Sequence, residues 1–321
     1  MRLLAAVVLG YLLVVGKVGG PAEGESSAPK LSEGMTSAAV AELDRVLGLA
    51  MVDEQPAYDE ALDSARRVVT RGGRVVYIPN GCRSVSHPYD VVIHFHGAPS
   101  VMEPLFERSG IDAVLTILNL GIGSGKYEDA FQDPMSFDRL LDGIRKVVRD
   151  LCPEASASTA RIALSGWSAG YGSVFRILDR QKDATRVDAV LLSDGLHAGF
   201  EPDGKNERRV NVDQMGPFTL YGEEAVAGRK LMAITHSSIQ TPYASTTETA
   251  DFLLGQYGLT RVPVNTAGPR PGMTFLSRAD AGHFHVQGYS GGNEQAHADQ
   301  LHAFGDTLFP YLKERWSVPR G

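Results

Sequence analysis

The stretch Arg161-Ile162-Ala163-Leu164-Ser165-Gly166-Trp167-Ser168-Ala169-Gly170-Tyr171-Gly172 decides how the rest of the chain is read. It opens as a short apolar run, passes through Gly-Trp-Ser-Ala-Gly, and leaves into Ser173-Val174-Phe175-Arg176-Ile177-Leu178, whose apolar residues have helical spacing. That order predicts a strand, a sharp turn and a helix, the local structure of a nucleophile elbow. So tight a turn strains the backbone of its central residue and needs small residues two positions to either side, which Gly166 and Gly170 supply. Ser168 then stands at the C-terminal edge of a sheet with its hydroxyl exposed. The Ala169 N–H points to where negative charge would develop on an attacked acyl oxygen.

Outward from the elbow, the pattern alternates. Residues 65–70 and 74–79 flank Arg71-Gly72-Gly73 and read as an antiparallel hairpin. The β-branched run 90–97 reads as a fully buried strand ending in a histidine-glycine loop, and 111–120 as another strand. The glycine cluster 121–126 has the wrong spacing for a phosphate-binding loop, with Tyr127 where Ser or Thr is needed, and is expected to be a loop. Residues 133–150 read as a helix and 187–193 as the strand after the elbow, followed by a long loop or small insertion over 196–229. A strand over 230–235, a helix over 246–257, a last strand over 273–277 and a closing amphipathic helix over 294–316 complete the chain. Such alternation implies an α/β fold with a mostly parallel central sheet flanked by helices, because parallel strands need crossovers. Residues 65–321 are expected to form one catalytic domain.

Ahead of that domain, residues 1–24 have the layout of a secretory signal peptide: Arg2, an apolar run that ends at Lys17, and small residues up to Gly24. The run is too short to span a bilayer comfortably, and no Cys follows it. A secreted or periplasmic location is therefore expected, with no stable membrane insertion after cleavage. Residues 25–64 read as a linker and a short N-terminal helical segment. The formal net charge of −7 over 321 residues, with no basic patch, argues against nucleic acid or an anionic membrane as the main partner. Cys82 and Cys152 are the two cysteines, and an even count in an exported chain invites a disulfide. Each lies about nine residues before an expected strand, so if those strands are neighbours both sit at one edge of the sheet within bridging reach.

A serine hydroxyl needs a base to take its proton, and the base needs an acid to orient it. Asp194 follows the strand after the elbow, at the same edge as Ser168, although Asp194-Gly195 also suits a plain turn. The base is sought just after the last expected strand, in Ala279-Asp280-Ala281-Gly282-His283-Phe284-His285, where His283 and His285 are equivalent on sequence grounds. Asp280 is assigned local turn chemistry. His297 falls on the closing helix and is read as structural.

From about residue 65 onward the chain resembles the α/β-hydrolase superfamily. The resemblance rests on Gly166-Trp167-Ser168-Ala169-Gly170, on the order Ser168, Asp194, His283 or His285, and on His94-Phe95-His96-Gly97-Ala98 after an early strand. It implies a central, mostly parallel eight-stranded sheet and assigns the second oxyanion donor to Gly97 or Ala98. The Gly282-His283-Phe284 context resembles the family's catalytic histidine and favours His283. The family usually places its acid one strand later than Asp194, and Ala98 stands where a second glycine is frequent.

The implied activity is that of a secreted serine hydrolase, with carboxylic esters the default substrates, amides or peptides an alternative, and no cofactor. An ester's alkoxide leaves without obligatory prior protonation, whereas an amine does not. The partner is a small-molecule or polymeric acyl substrate, with Tyr243, Phe218 and Tyr221 as candidate pocket residues. Two other readings remain. His94/His96 and His283/His285 form two His-x-His elements that could hold a divalent metal in a metal-dependent hydrolase. A hydrolase fold can also serve only for binding.

Overall fold

A computed structural model of the chain describes residues 65–70, 72–202 and 208–317. The expected signal peptide (1–24) and the linker and helical segment (25–64) lie outside the described residues. Ten strands form one sheet: β1 (Arg66–Val69), β2 (Val75–Ile78), β3 (Tyr89–Phe95), β4 (Val114–Leu118), β5 (Thr159–Trp167), β6 (Ala189–Ser193), β7 (Leu231–His236), β8 (Val262–Ala267), β9 (Thr274–Ala281) and β10 (Phe284–Tyr289). Their spatial order is β1-β2-β4-β3-β5-β6-β7-β10-β9-β8. The centre, from β4 to β10, is parallel, whereas β1–β2, β2–β4, β10–β9 and β9–β8 pair antiparallel. The sheet is therefore mixed, and the expectation of a mostly parallel eight-stranded sheet holds only for its middle.

Strand β5 explains the pattern. Alternation along a strand sends successive side chains to opposite faces. Ile162 and Leu164 join Val91, Ile93, Val190 and Ile234 in a core on one face, while Ala163 joins Val92, Leu191 and Ala233 on the other. Both faces are buried, so the strands read as continuous apolar runs. The first face is covered by α3 (Ser136–Leu151), α4 (Tyr171–Leu178), α6 (Val212–Val226) and α7 (Thr246–Gln256). The second is covered by α1 (Pro99–Ser109), α8 (Glu294–His302), α9 (Phe304–Thr307) and α10 (Phe309–Ser317). Two short helices, α2 (Ser124–Ala130) and α5 (Gln181–Ala184), also pack on the first face. No helix among the described residues is long and apolar enough to cross a membrane.

Several local expectations change. Of the expected loop at 121–126, residues 121–123 stay outside any helix and the rest begin α2. The supposed insertion over 196–229 contains α6, whose buried Met215, Phe218, Gly222 and Ala225 follow helical spacing and whose Asn211 cap accepts from the Gln214 N–H. Gly216 and Pro217 hide that helix from a propensity reading. The closing helix is three pieces, and the last begins at Phe309-Pro310, where the proline ring and missing N–H prevent continuation from the preceding turn. Cys82 and Cys152 are joined by a disulfide with their Cα atoms 5.3 Å apart. The bridge ties the segment before β3 to the end of α3.

Candidate active site

The turn after β5 is as tight as the sequence demands. Ser168 has φ 48°, a left-handed conformation rarely adopted by non-glycine residues. A Cβ on Gly170 would lie 2.2 Å from the carbonyl oxygen of Phe95, and one on Gly166 would lie 3.2 Å from the Gly170 backbone. Neither position accepts a side chain without moving the backbone of β3 or of the turn. Ala169 is the second residue of this single turn, where the leading N–H groups have no partner within the turn itself. The strand–turn–helix context that the motif requires is thus present.

Asp194 follows β6 directly and also has positive φ, 41°. Its neighbour Gly195 lies so close to the serine that a Cβ there would sit 2.6 Å from the Ser168 carbonyl oxygen. The carboxylate is 2% exposed and fully engaged: Oδ1 accepts from the Ser237 N–H (2.8 Å) and the Thr246 hydroxyl (2.6 Å), and Oδ2 faces His297 Nδ1 at 2.7 Å. Burial alone would push this carboxyl up, but the bonds from His297, Thr246 and Ser237 outweigh it and hold it well below the ordinary carboxylate range. An ionised carboxylate only accepts, so the proton between the pair sits on His297 Nδ1.

The histidine facing the acid is therefore His297, not His283 or His285. Strand β10 runs parallel to β7 with Phe284 opposite Met232, so His283 and His285 lie toward the start of β7, while Ser168 and Asp194 lie at the strand ends. Five residues of β7, roughly 15 Å, separate His283 from that edge. His283 occupies the β9–β10 turn, its N–H donating to the Ala225 carbonyl. His285 pairs across the hairpin with Asp280 at 2.7 Å and stacks on Tyr311. Asp280 is thus a cross-strand partner and not merely a turn residue. The chain reaches the serine's edge only when β10 ends at Tyr289. It turns there into α8, whose Asn293 cap accepts from the Ala296 N–H and sets His297 in the first helical turn. Phe284-His285-Val286-Gln287 alternates apolar and polar, the signal that identifies β10 and hence moves the search for a base one loop further on.

Trp167, immediately before the serine, contacts two imidazoles. His96 stacks on it at 5.0 Å and 8°, and His297 lies against it at 4.7 Å and 30°. His96 has φ 62° and its Nδ1 lies 2.8 Å from the Tyr127 hydroxyl. Burial, helped by the proximity of His297, pushes His96 down to about 3. His94 is buried below the same loop with Nδ1 2.9 Å from the Ser165 hydroxyl, and burial likewise pushes it down to about 3. A Cβ on Gly97 would lie 2.6 Å from His94 Nε2, so the Gly97-Ala98 loop rests directly on that ring. The N–H groups of Gly97 and Ala98 donate to no protein acceptor among the described residues. His197, three residues beyond the acid, is half-buried against Tyr171 and Tyr243, and burial pushes it down to about 4.

Of the three candidate pocket aromatics, only Tyr243 is near this edge. Phe218 and Tyr221 belong to the core under α6, and the Tyr221 hydroxyl donates to the Val187 carbonyl at the opposite end of β6. The two His-x-His elements do not converge, since β5, β6 and β7 lie between β3 and β10. Among the described residues no group of three or more His, Cys, Asp or Glu side chains is placed to hold a metal ion.

A strained serine between β5 and α4, an acid at the end of the neighbouring parallel strand and a histidine supplied after the last parallel strand now stand together. This arrangement resembles that of the α/β-hydrolases. No protein-family model matches the chain, and no curated protein matches it. Among solved structures the chain is similar to the siderophore hydrolase EstB from Aspergillus nidulans, with 16% identity over 84% of this chain and 100% of that one and a TM-score of 0.42. It is also similar to Est1E from Butyrivibrio proteoclasticus (11% identity, 79% and 100% covered, TM-score 0.42). An acetyl xylan esterase from Aspergillus awamori shares 14% identity, with 75% and 99% covered and a TM-score of 0.39.

Proposed function

We propose that this chain is an exported serine hydrolase that cleaves carboxylic esters through an acyl-enzyme on Ser168, with His297 as base and Asp194 as its orienting acid. The observation that carries the reading is the 2.7 Å contact from His297 Nδ1 to a buried carboxylate, made by a ring lying against the residue next to a strained serine. In this cycle Ser168 Oγ attacks the acyl carbon while His297 Nε2 takes its proton. The Ala169 N–H and an N–H of Gly97 or Ala98 receive the charge on the acyl oxygen. Collapse breaks the ester bond, and His297 returns the proton to the leaving alkoxide. A water deprotonated by the same nitrogen then attacks the acyl-enzyme, releasing the acid and restoring the serine. Asp194 orients the ring and stabilises its cationic form throughout. No step in this cycle calls on a cofactor. A disulfide suits the oxidising compartment that an exported enzyme would occupy.

The test is covalent labelling by a fluorophosphonate, followed by turnover of short acyl esters. Wild-type protein should be labelled at Ser168 with or without a chelator. Ser168→Ala should lose both label and turnover, and His297→Gln should lower labelling by orders of magnitude. Labelling of the Ser168→Ala protein, or none of well-folded wild type, would overturn the proposal.

A further inference from the structure

Trp167 is 1% exposed, with two imidazoles against its ring and its N–H engaged. Its indole Nε1–H donates to the His297 backbone carbonyl at 3.0 Å, while its ring lies against the His297 imidazole at 4.7 Å. One side chain therefore grips both the backbone and the ring of the same histidine. A histidine that takes the serine proton becomes a cation for the lifetime of the tetrahedral intermediate. The face of an indole attracts a cation within about 6 Å of its centroid more strongly than any other aromatic side chain. His96 also stacks on Trp167, at 5.0 Å and 8°.

We propose that Trp167 is a positioning residue for the base: its N–H fixes where His297 sits, and its π face stabilises the imidazolium formed during turnover. The proposal rests on His297 being the base. The other groups facing that ring are few. Asp194, at the end of β6, holds Nδ1 and favours the cation. His96, after β3, and His197, after β6, oppose it when charged, but burial keeps both neutral near pH 7. The ring also lies in the first turn of α8, a nine-residue helix whose N-terminal dipole disfavours positive charge. Glu294 in the same turn has the opposite sign of effect. The indole thus acts where two local fields oppose each other.

A cationic imidazole in contact with indole quenches its fluorescence, which gives a readout independent of activity. Trp167 and Trp316 are the two tryptophans, and Trp316 contributes equally to the wild type and to His297→Gln. Emission from wild-type protein should fall when His297 gains its second proton, and that fall should be absent from His297→Gln. The acid limb of kcat/KM in Trp167→Leu should move down by about half a pH unit, while Trp167→Phe, which keeps a π face but loses the N–H, should hold the limb near its wild-type pH and lower kcat. An emission profile identical in wild type and His297→Gln, or an acid limb unmoved in Trp167→Leu, would overturn the proposal. The fluorescence comparison needs no substitution at Trp167, so it decides the matter even where Trp167→Leu does not fold. It also separates the two ideas: a His297-dependent emission curve in a protein that fluorophosphonate does not label would keep the stacking and sink the hydrolase reading.

Discussion

Asp194 is the residue whose role is most sharply constrained by its surroundings. One oxygen is occupied by the Ser237 N–H and the Thr246 hydroxyl and the other by His297, so an amide substituted there keeps its shape but changes one contact. Asp194→Asn would turn an NH2 group toward His297 Nδ1, forcing the proton onto Nε2 and leaving no lone pair for the serine. Turnover of an acyl ester should fall by about 10³- to 10⁴-fold with the thermal midpoint little changed. An Asp194→Asn enzyme with undiminished kcat would mean that the acid is elsewhere. At this scale the turn at Ser168 was legible because its strain demands glycines at fixed offsets, and those are visible as letters. The histidine that faces Asp194 was not legible, because three histidines lie within fifteen residues of one another and only the edge each occupies separates them.

The element that decides the edge is the β9–β10 hairpin. A strand ending near 277 leaves His283 and His285 in a loop, whereas a hairpin turning at Gly282 carries them back toward the start of β7. Gly282 has φ 57° and packs where a Cβ would lie 2.2 Å from the Val226 carbonyl oxygen, so the turn is fixed against the end of α6. Strand β8 was hidden by Pro263, which argues against a strand except at an edge, where the structure puts it. What presents His297 is the first turn of α8, and that turn is held by Asn293 Oδ1 on the Ala296 N–H at 2.9 Å. Asn293→Ala should cost about 1 kcal/mol of stability through the lost cap. It should lower kcat/KM several-fold by loosening the base, with Asn293→Ser restoring both. Calorimetry and ester hydrolysis on the same preparations check this, and a variant with lowered stability but unchanged kcat/KM would show that the cap does not position His297.

Taken over the whole molecule, the two-faced core and the parallel centre of the sheet were legible in apolar runs separated by helical spacing, and the antiparallel margins were less so. What no local pattern reveals is that the site is assembled by burying imidazoles: His94 and His96 are pushed down to about 3 and His197 to about 4. In the unfolded chain each would titrate near its ordinary value of about 6.5. Folded-state values below the unfolded ones mean that the unfolded chain binds more protons between those limits. The neutral rings therefore cost nothing above roughly pH 7, and stability falls as pH drops from about 6.5 toward 4. Each ring contributes a slope of up to about 1.4 kcal/mol per pH unit, so the three together reach about 4 kcal/mol per unit near pH 5. Asp194 acts in the same direction lower down, since its depressed carboxyl stabilises the fold above the ordinary aspartate range and loses that contribution as pH falls through it. Urea midpoints measured at pH 7.5, 6 and 5 should decline progressively, with protons taken up on unfolding at pH 5. A midpoint flat across that range would mean that these rings are charged or solvated in the folded protein. The same burial bears on the proposed chemistry, because with His96 neutral the indole that both rings contact would meet a single cation, on His297.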